Sequence, residues 1–299
     1  MFDLTPTLDC KGRMLALDRA RVVGIVNITP DSFSGDGFPS LDAAVAHGLK
    51  LVEEGADALD IGGESTRPGA EDVSIEEELR RVIPVIERLA RDCAIPIFVD
   101  TSKPEVMRAA VTAGAGAIND VYALRRDGAL DAVAELKVPV VLMHMQGEPR
   151  TMQDDPRYDD VIAEVHRFLA ERIFACEMNG IAKKKIVVDP GFGFGKTLDQ
   201  NLMLLRQLAR FSDLGVPVLA GLSRKGMIGT LTGRAQGERM HGSVAAALIA
   251  AQNGAKLLRV HDVGATVDAL KIWNAVAAVT VHTGSSSAKP TQPRWPDDD

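Results

Sequence analysis

Short, almost continuously apolar runs alternate along this chain with longer segments of helical periodicity, and that alternation restricts its fold more than any other feature. Eight such runs occupy residues 22–26, 58–61, 95–99, 117–118, 138–143, 186–188, 216–219 and 257–260. Strands with so little polar alternation are buried on both faces, as in a parallel sheet covered by helices. Between them lie stretches such as residues 161–173, where Val161, Ile162, Val165, Phe168, Leu169 and Ile173 share one helical face. Four helical stretches close on Gly55-Ala56, Gly114-Ala115, Gly180-Ile181 and Gly254-Ala255 just before a strand, with glycine as the left-handed C-cap. Eight strands, each followed by a helix, predict a single α/β domain, a (β/α)8 TIM barrel, for which ~250 residues are typical. An open doubly wound sheet is the alternative, but no motif marks the switch point that it would need. Residues 8–17 around Lys11-Gly12 read as a short hairpin plugging the N-terminal end of the barrel. The expected organisation is therefore a hairpin cap over 1–21, a barrel over 22–279, and a Ser-, Pro- and Asp-rich disordered tail over 280–299.

Composition narrows the function classes. Hydrophobic residues make up 46% and charged residues 25% of the 299, enough for a large core. The 34 Lys+Arg against 41 Asp+Glu leave a net charge of −7, which argues against a nucleic-acid or acidic-membrane binder but leaves room for a small basic pocket. Cys10, Cys93 and Cys176 are odd in number, widely spaced and never in a Cys-x-x-Cys pair. That pattern opposes a disulfide framework or a zinc site and fits a reducing cytoplasm. No apolar h-region lies within the first residues MFDLTPTLDCKGR, and no apolar run reaches the ~18 residues needed to span a bilayer. The expectation is a soluble cytoplasmic protein.

The residues that leave the apolar runs at their C-terminal ends are Asn27, Gly62-Gly63-Glu64, Asp100, Asn119-Asp120, His144, Asp189, Ser223 and His261. Burying such groups unpaired is costly, and in a closed barrel all of these ends converge on the face where such enzymes place their chemistry. Two following loops, residues 27–37 and 62–69, are rich in glycine and hydroxyl side chains, a composition suited to closing over a site. Arg67 in the second offers a guanidinium for an anion. Arg259 and His261 stand two apart on the last strand, so they face one side and make a cationic pair. The segment from Asp189 to Thr197 ends in Gly195-Lys196-Thr197, as a phosphate-binding P-loop does. Counting back five positions from Gly195 reaches Pro190, however, so the glycine that the motif requires is missing. Neither H-E-x-x-H nor a Cys/His cluster occurs, which argues against tight zinc binding.

The motifs VNITPDSFS, GGESTRPG, VDTSK, INDV, HMQG, DPGFGFGK, LSRKG and RVHDV follow one another, each at a strand end, and together resemble dihydropteroate synthase from about residue 22 to 279. The resemblance implies a transferase of folate biosynthesis. It would join 6-hydroxymethyl-7,8-dihydropterin diphosphate to 4-aminobenzoate, giving 7,8-dihydropteroate and pyrophosphate by an SN1-like route. Carried over residue by residue, the pterin partners would be Asp100, Asn119, Asp189, Lys225 and Met145. Asn27, Arg67, Arg259 and His261 would hold the diphosphate, with Mg2+ at Asn27. Thr66, Arg67, Pro68, Phe194 and Ser223 would form the 4-aminobenzoate pocket, and Asp100, Lys225, Arg67 and Asp36 the catalytic set. One departure is visible: the first loop commonly reads S-F-S-D-G-G, whereas here it is Ser32-Phe33-Ser34-Gly35-Asp36-Gly37, so the loop aspartate moves by one position. The family's members are typically homodimers, and the almost wholly apolar segment 243–255 is expected to bury against the barrel and a second subunit.

Two other readings stay open on the residues alone. A pterin-binding methyltransferase module would pass a methyl group from a methylated folate to a corrinoid partner, without needing the loops over 29–37 and 65–69. A non-catalytic barrel would bind a phosphorylated metabolite as a sensor and release no pyrophosphate. Both loops and the Arg259/His261 pair favour the synthase.

Overall fold

The structure, a computed structural model, describes residues 6–28, 40–65, 72–148 and 151–279. It begins with an antiparallel hairpin of β1 (Thr7–Cys10) and β2 (Arg13–Ala16), joined at Lys11 and Gly12, both at positive φ. Strands and helices then alternate: β3 (Arg21–Asn27), α1 (Leu41–Glu53), β4 (Ala58–Gly62), α2 (Ile75–Asp92), β5 (Ile97–Asp100), α3 (Pro104–Ala113), β6 (Ala117–Asp120), α4 (Ala129–Leu136) and β7 (Val140–Met143). The remainder runs α5 (Val161–Met178), β8 (Ile186–Asp189), α6 (Leu198–Arg206), β9 (Leu219–Ala220), α7 (Gly226–Thr232), α8 (Met240–Gln252), β10 (Leu257–Val260) and α9 (Val263–Ala277). The parallel sheet has the order β8-β7-β6-β5-β4-β3-β10-β9, and a parallel bridge between Val188 and Val218 joins its two ends. The sheet is a closed (β/α)8 barrel, and the open doubly wound alternative is excluded.

Strand boundaries follow the prolines. The apolar runs over 95–99, 138–143 and 216–219 begin before their strands, because Pro96, Pro139 and Pro217 have no N–H to give to the ladder. Each still accepts at the strand's foot: Leu59 N donates to Pro96 O at 3.0 Å, Ile118 N to Pro139 O at 2.9 Å and Val188 N to Pro217 O at 3.0 Å. Helix starts are set by side-chain caps, Ser74 for α2, Asp160 for α5, and Thr197 with Gln200 as a capping box for α6.

Side chains alternate across a strand, so the barrel interior is built in layers. At the N-terminal end, Val23, Ala58, Phe98, Ala117, Val141, Val187, Leu219 and Leu257, one from each strand, pack against Leu8, Cys10, Leu15 and Leu17 of the hairpin. The hairpin is the apolar plug. Residues of opposite parity, such as Val22, Leu59, Ile118 and Leu258, face the helices in the main core. Two positions beyond the plug layer, the inward residues are Ile25, Asp60, Asp100, Asn119, Met143, Asp189, Gly221 and Arg259. An apolar floor thus carries a polar layer directly above it. Within the apolar segment 243–255, Ser243, Ala246, Ala247 and Ala250 are buried while Ile249 stays 43% exposed. The tail over 280–299 lies outside the described residues.

Candidate active site

Arg259 is the hub of the polar layer. Its Nε donates to Asp60 Oδ2 at 2.5 Å and its Nη2 to Asp100 Oδ2 at 2.8 Å, while Asn119 Nδ2 donates to Asp60 Oδ2 at 3.0 Å. Four strands are joined by one guanidinium and one carboxylate that is wholly buried. Burial pushes the Asp100 carboxyl up, with Arg259 pulling the other way. Burial also works against the Arg259 charge, but Asp60 and Asp100 beside it raise its pKa above the ordinary arginine range.

Across the barrel, burial raises Asp189 as well, against the attraction of Lys225. Lys225 is pushed down to about 8 by burial, with Asp189 pulling it up. Its ammonium donates to Phe192 O and lies 4.6 Å from the centroid of the Phe194 ring. A Cβ added to Gly221 would stand 3.8 Å from Asp189 Oδ2, 3.9 Å from Arg259 Cβ and 4.0 Å from Lys225 Nζ. The absent side chain at Gly221 therefore keeps open the space that these three groups face. Met145 closes one side in an apolar cluster with Val121, Met143 and Met152, against which Tyr122 and Phe194 pack.

Nearer the mouth, Ser223 Oγ lies 3.0 Å from His261 Nδ1 and accepts from His261 N at 3.1 Å, tying the chain beyond β9 to the end of β10. Arg224, at positive φ, turns aside to a bidentate pair with Asp262 at 2.6 and 3.2 Å. On β3, next to β10, and on β5, Asn27 Oδ1 and Asp100 Oδ2 lie 3.4 and 3.8 Å from the point where a Cβ on Gly62 would stand.

Asn27, Asp100, Asn119, Met145, Asp189, Phe194, Ser223, Lys225, Arg259 and His261 thus stand at the same end of one barrel. Asp36, Thr66, Arg67 and Pro68 lie outside the described residues. Several strand-end residues have other work. Asp120 points the other way, accepting from Tyr122 N at 2.8 Å and Leu124 N at 2.7 Å. Glu64 joins Lys103 at 2.8 Å and Val73 N at 2.9 Å. His144 stacks edge-on to Phe168 with its Nδ1 3.0 Å from Lys196 Nζ. Sequence reasoning missed Asp60 and Gly221. The signal for Asp60 was available, since a carboxylate two positions after Ala58 within an apolar run must face the same interior.

A flat heterocycle fits the chemistry of this pocket: carboxylates and a carboxamide for its N–H edge, an ammonium for its acceptors, and a cationic rim for an attached anion. Residues 23–261 match the family described as pterin binding enzyme. Over 269 residues the chain is 53% identical to the dihydropteroate synthase of Escherichia coli K12, covering 90% of this chain and 95% of that one. It is 68% identical, with a TM-score of 0.88, to a structure of Xanthomonas albilineans dihydropteroate synthase with 4-aminobenzoic acid, covering 92% of this chain and all of that one. A structure of the Xanthomonas enzyme in complex with 7,8-dihydropteroate has a TM-score of 0.83 at 63% identity, over the same 92% of this chain and 100% of its own.

Proposed function

This chain belongs to the dihydropteroate synthase family of pterin-binding enzymes, and we propose on that premise how its own residues join 6-hydroxymethyl-7,8-dihydropterin diphosphate to 4-aminobenzoate. The observation that carries the reading is the polar layer of Asp60, Asp100, Asn119, Asp189, Lys225 and Arg259 above an apolar floor. Asp189, Asn119 and Asp100 accept from or donate to the aminopyrimidinone edge, Lys225 donates to the ring's acceptors, and Met145 packs on the ring. Asn27, Arg67, Arg259 and His261 receive the diphosphate. Thr66, Arg67, Pro68, Phe194 and Ser223 enclose the aminobenzoate.

In the SN1-like route the methylene C–O bond breaks first and its electron pair leaves with pyrophosphate. The arylamine lone pair then closes the new C–N bond, and the nitrogen gives up one proton. No strong base is needed before attack, and the catalytic work falls to charge placement in a dry pocket. Asp100 stands nearest the developing cation in this reading, with Asp36 assisting from its loop.

Among the described residues no group of three or more His, Cys, Asp or Glu could hold a metal ion. Mg2+ needs no such cage, because it keeps several waters and takes substrate phosphate oxygens. The hard oxygens of Asn27 and Asp100 facing Gly62 fit that donor set. When bound, the ion would offset diphosphate charge.

Pyrophosphate release from the pterin diphosphate with Mg2+, with and without 4-aminobenzoate, tests the whole reading. Amine-dependent release with dihydropteroate in step is expected, and pterin binding without release would support the methyltransferase or sensor readings instead. Gly221→Val is expected to fold with an unchanged thermal midpoint and to lose pterin binding, since its Cβ lies only in ordinary contact with Asp189, Arg259 and Lys225 but fills the space between them. Wild-type pterin affinity in that variant would refute the placement of the ring.

A homodimer is part of the proposal. Ile249 on α8 is 43% exposed, and Ile272 and Val276 on the adjoining α9 are 69% and 63% exposed, an apolar face that a second copy would cover. Sedimentation at micromolar concentration is expected to give twice the chain mass, and a monomer would refute it. The three free cysteines support a cytoplasmic setting, and among the described residues no helix is long and apolar enough to cross a membrane.

A further inference from the structure

Residues 191–195 form a wall of the pocket whose backbone carbonyls are all held by side chains. Gly191 O and Phe194 O each accept from Lys196 Nζ at 2.9 Å, and Phe192 O accepts from Lys225. Gly193 O accepts from Gln153 Nε2 at 2.5 Å and Gly195 O from Tyr158 Oη at 2.8 Å. Gly191, Gly193 and Gly195 all have positive φ, and a Cβ on Gly191 would fall 1.8 Å from His144 O. Such a loop keeps its shape only while those carbonyls stay occupied.

Lys196 is the unusual member. It is only 3% exposed, and its hydrogen bonds go to two carbonyls and a ring nitrogen rather than to a carboxylate. Three partners, Gly191 O, Phe194 O and His144 Nδ1, surround the Lys196 Nζ. Burial and the nearby Lys196 charge push His144 down to about 2, so its imidazole is neutral. Burial pushes Lys196 itself far down, with Asp189 pulling it up. A methionine would fill this space without burying an amine, so the Lys196 Nζ is explained by what it holds. The Gly-Lys-Thr tripeptide that resembles a phosphate loop is accounted for as well: Lys196 turns beneath the loop, and Thr197 caps α6.

We propose that Lys196 is a positioning residue for the pterin pocket, acting through the backbone of residues 191–195 to hold the Phe192 carbonyl against Lys225 and the Phe194 ring beside it. The inference rests on the dihydropteroate synthase reading of this pocket. Its test is the affinity for 6-hydroxymethylpterin, which lacks the diphosphate, measured beside that for pyrophosphate with Mg2+. Lys196→Met is expected to weaken the pterin about ten- to hundredfold. Pyrophosphate affinity should stay within about twofold, because the rim is a separate site. Lys225, losing the carbonyl that its ammonium donates to, should also carry the alkaline limb of pterin binding further down from about 8. An unchanged pterin affinity, or equal losses for both ligands, would overturn the role.

If Lys196→Met fails to fold, His144→Leu and His144→Asn decide. Asparagine keeps an acceptor near the Nδ1 position and should bind pterin like the parent, whereas leucine should weaken it; equal affinities would overturn the proposal. Turnover of the unaltered protein separates the two readings. Its absence refutes the synthase reading and this inference with it, while an active parent with an unaffected Lys196→Met refutes this inference alone.

Discussion

Arg259→Met is expected to lower kcat/KM on the order of 10³-fold and the unfolding free energy by about 3–5 kcal/mol at neutral pH. The stability loss comes from what remains behind. Asp60 is wholly buried and Asp100 nearly so, and both Arg259 contacts, at 2.5 and 2.8 Å, disappear together. Two carboxylates then face one another without a cation, and the pKa of at least one must climb further. A carboxyl whose folded pKa lies above its unfolded value destabilises the fold most at high pH, where both states would otherwise be ionised. The deficit therefore shrinks as pH falls through the raised pKa. Burial has already pushed Asp100 up to about 8 in the parent, so urea unfolding at pH 7 and 9 should show the larger deficit at 9. Adding Asp60→Asn should restore much of the stability and none of the turnover. Parent-like stability at pH 9 in the single variant would show that Arg259 does not hold this layer together.

The same layer marks what could and could not be read from the residues in order. The eight strands were legible because each apolar run must lie between a helix layer and the barrel interior, and the misplaced starts at 95, 138 and 216 each trace to a proline one residue on. The site residues were legible where a polar group ends a run, as at Asp100, Asn119, Asp189 and His261. Asp60 sits inside a run rather than at its end, so only its parity with Ala58 marks it as inward. Gly221 was hidden because what it contributes is the absence of a side chain, which has meaning only once Asp189, Arg259 and Lys225 are known to surround it. The Lys196–His144 contact spans 52 residues, and neither position carries a local signal for the other. Periodicity reports which face a residue is on; it does not report which residue lies opposite.

Lys225→Met should separate binding from stability in the opposite sense to Arg259→Met. In the parent, burial has lowered Lys225 to about 8, so the ammonium that donates to the pterin is present at neutral pH and is lost as pH rises through that value. Pterin affinity should be flat below about 8 and fall about tenfold for each further pH unit until the bound form also titrates. Methionine removes the donor, so affinity at pH 7 should drop by about 10²-fold and the alkaline limb should vanish. Stability moves the other way. The folded protein holds this proton more weakly than the unfolded chain does, so the buried ammonium costs stability at every pH below about 8, and that cost fades as pH rises towards the unfolded lysine value. Replacing it relieves the cost, while the Asp189 carboxyl, already raised by burial, can take up a proton when its cation is gone. The thermal midpoint of Lys225→Met at pH 7 should therefore equal or exceed that of the parent, as expected of a residue kept for binding at the expense of the fold. A lower midpoint with pterin affinity intact would reverse the assignment, making Lys225 a structural partner of Phe192 and leaving the recognition of the ring to Asp189, Asn119 and Asp100.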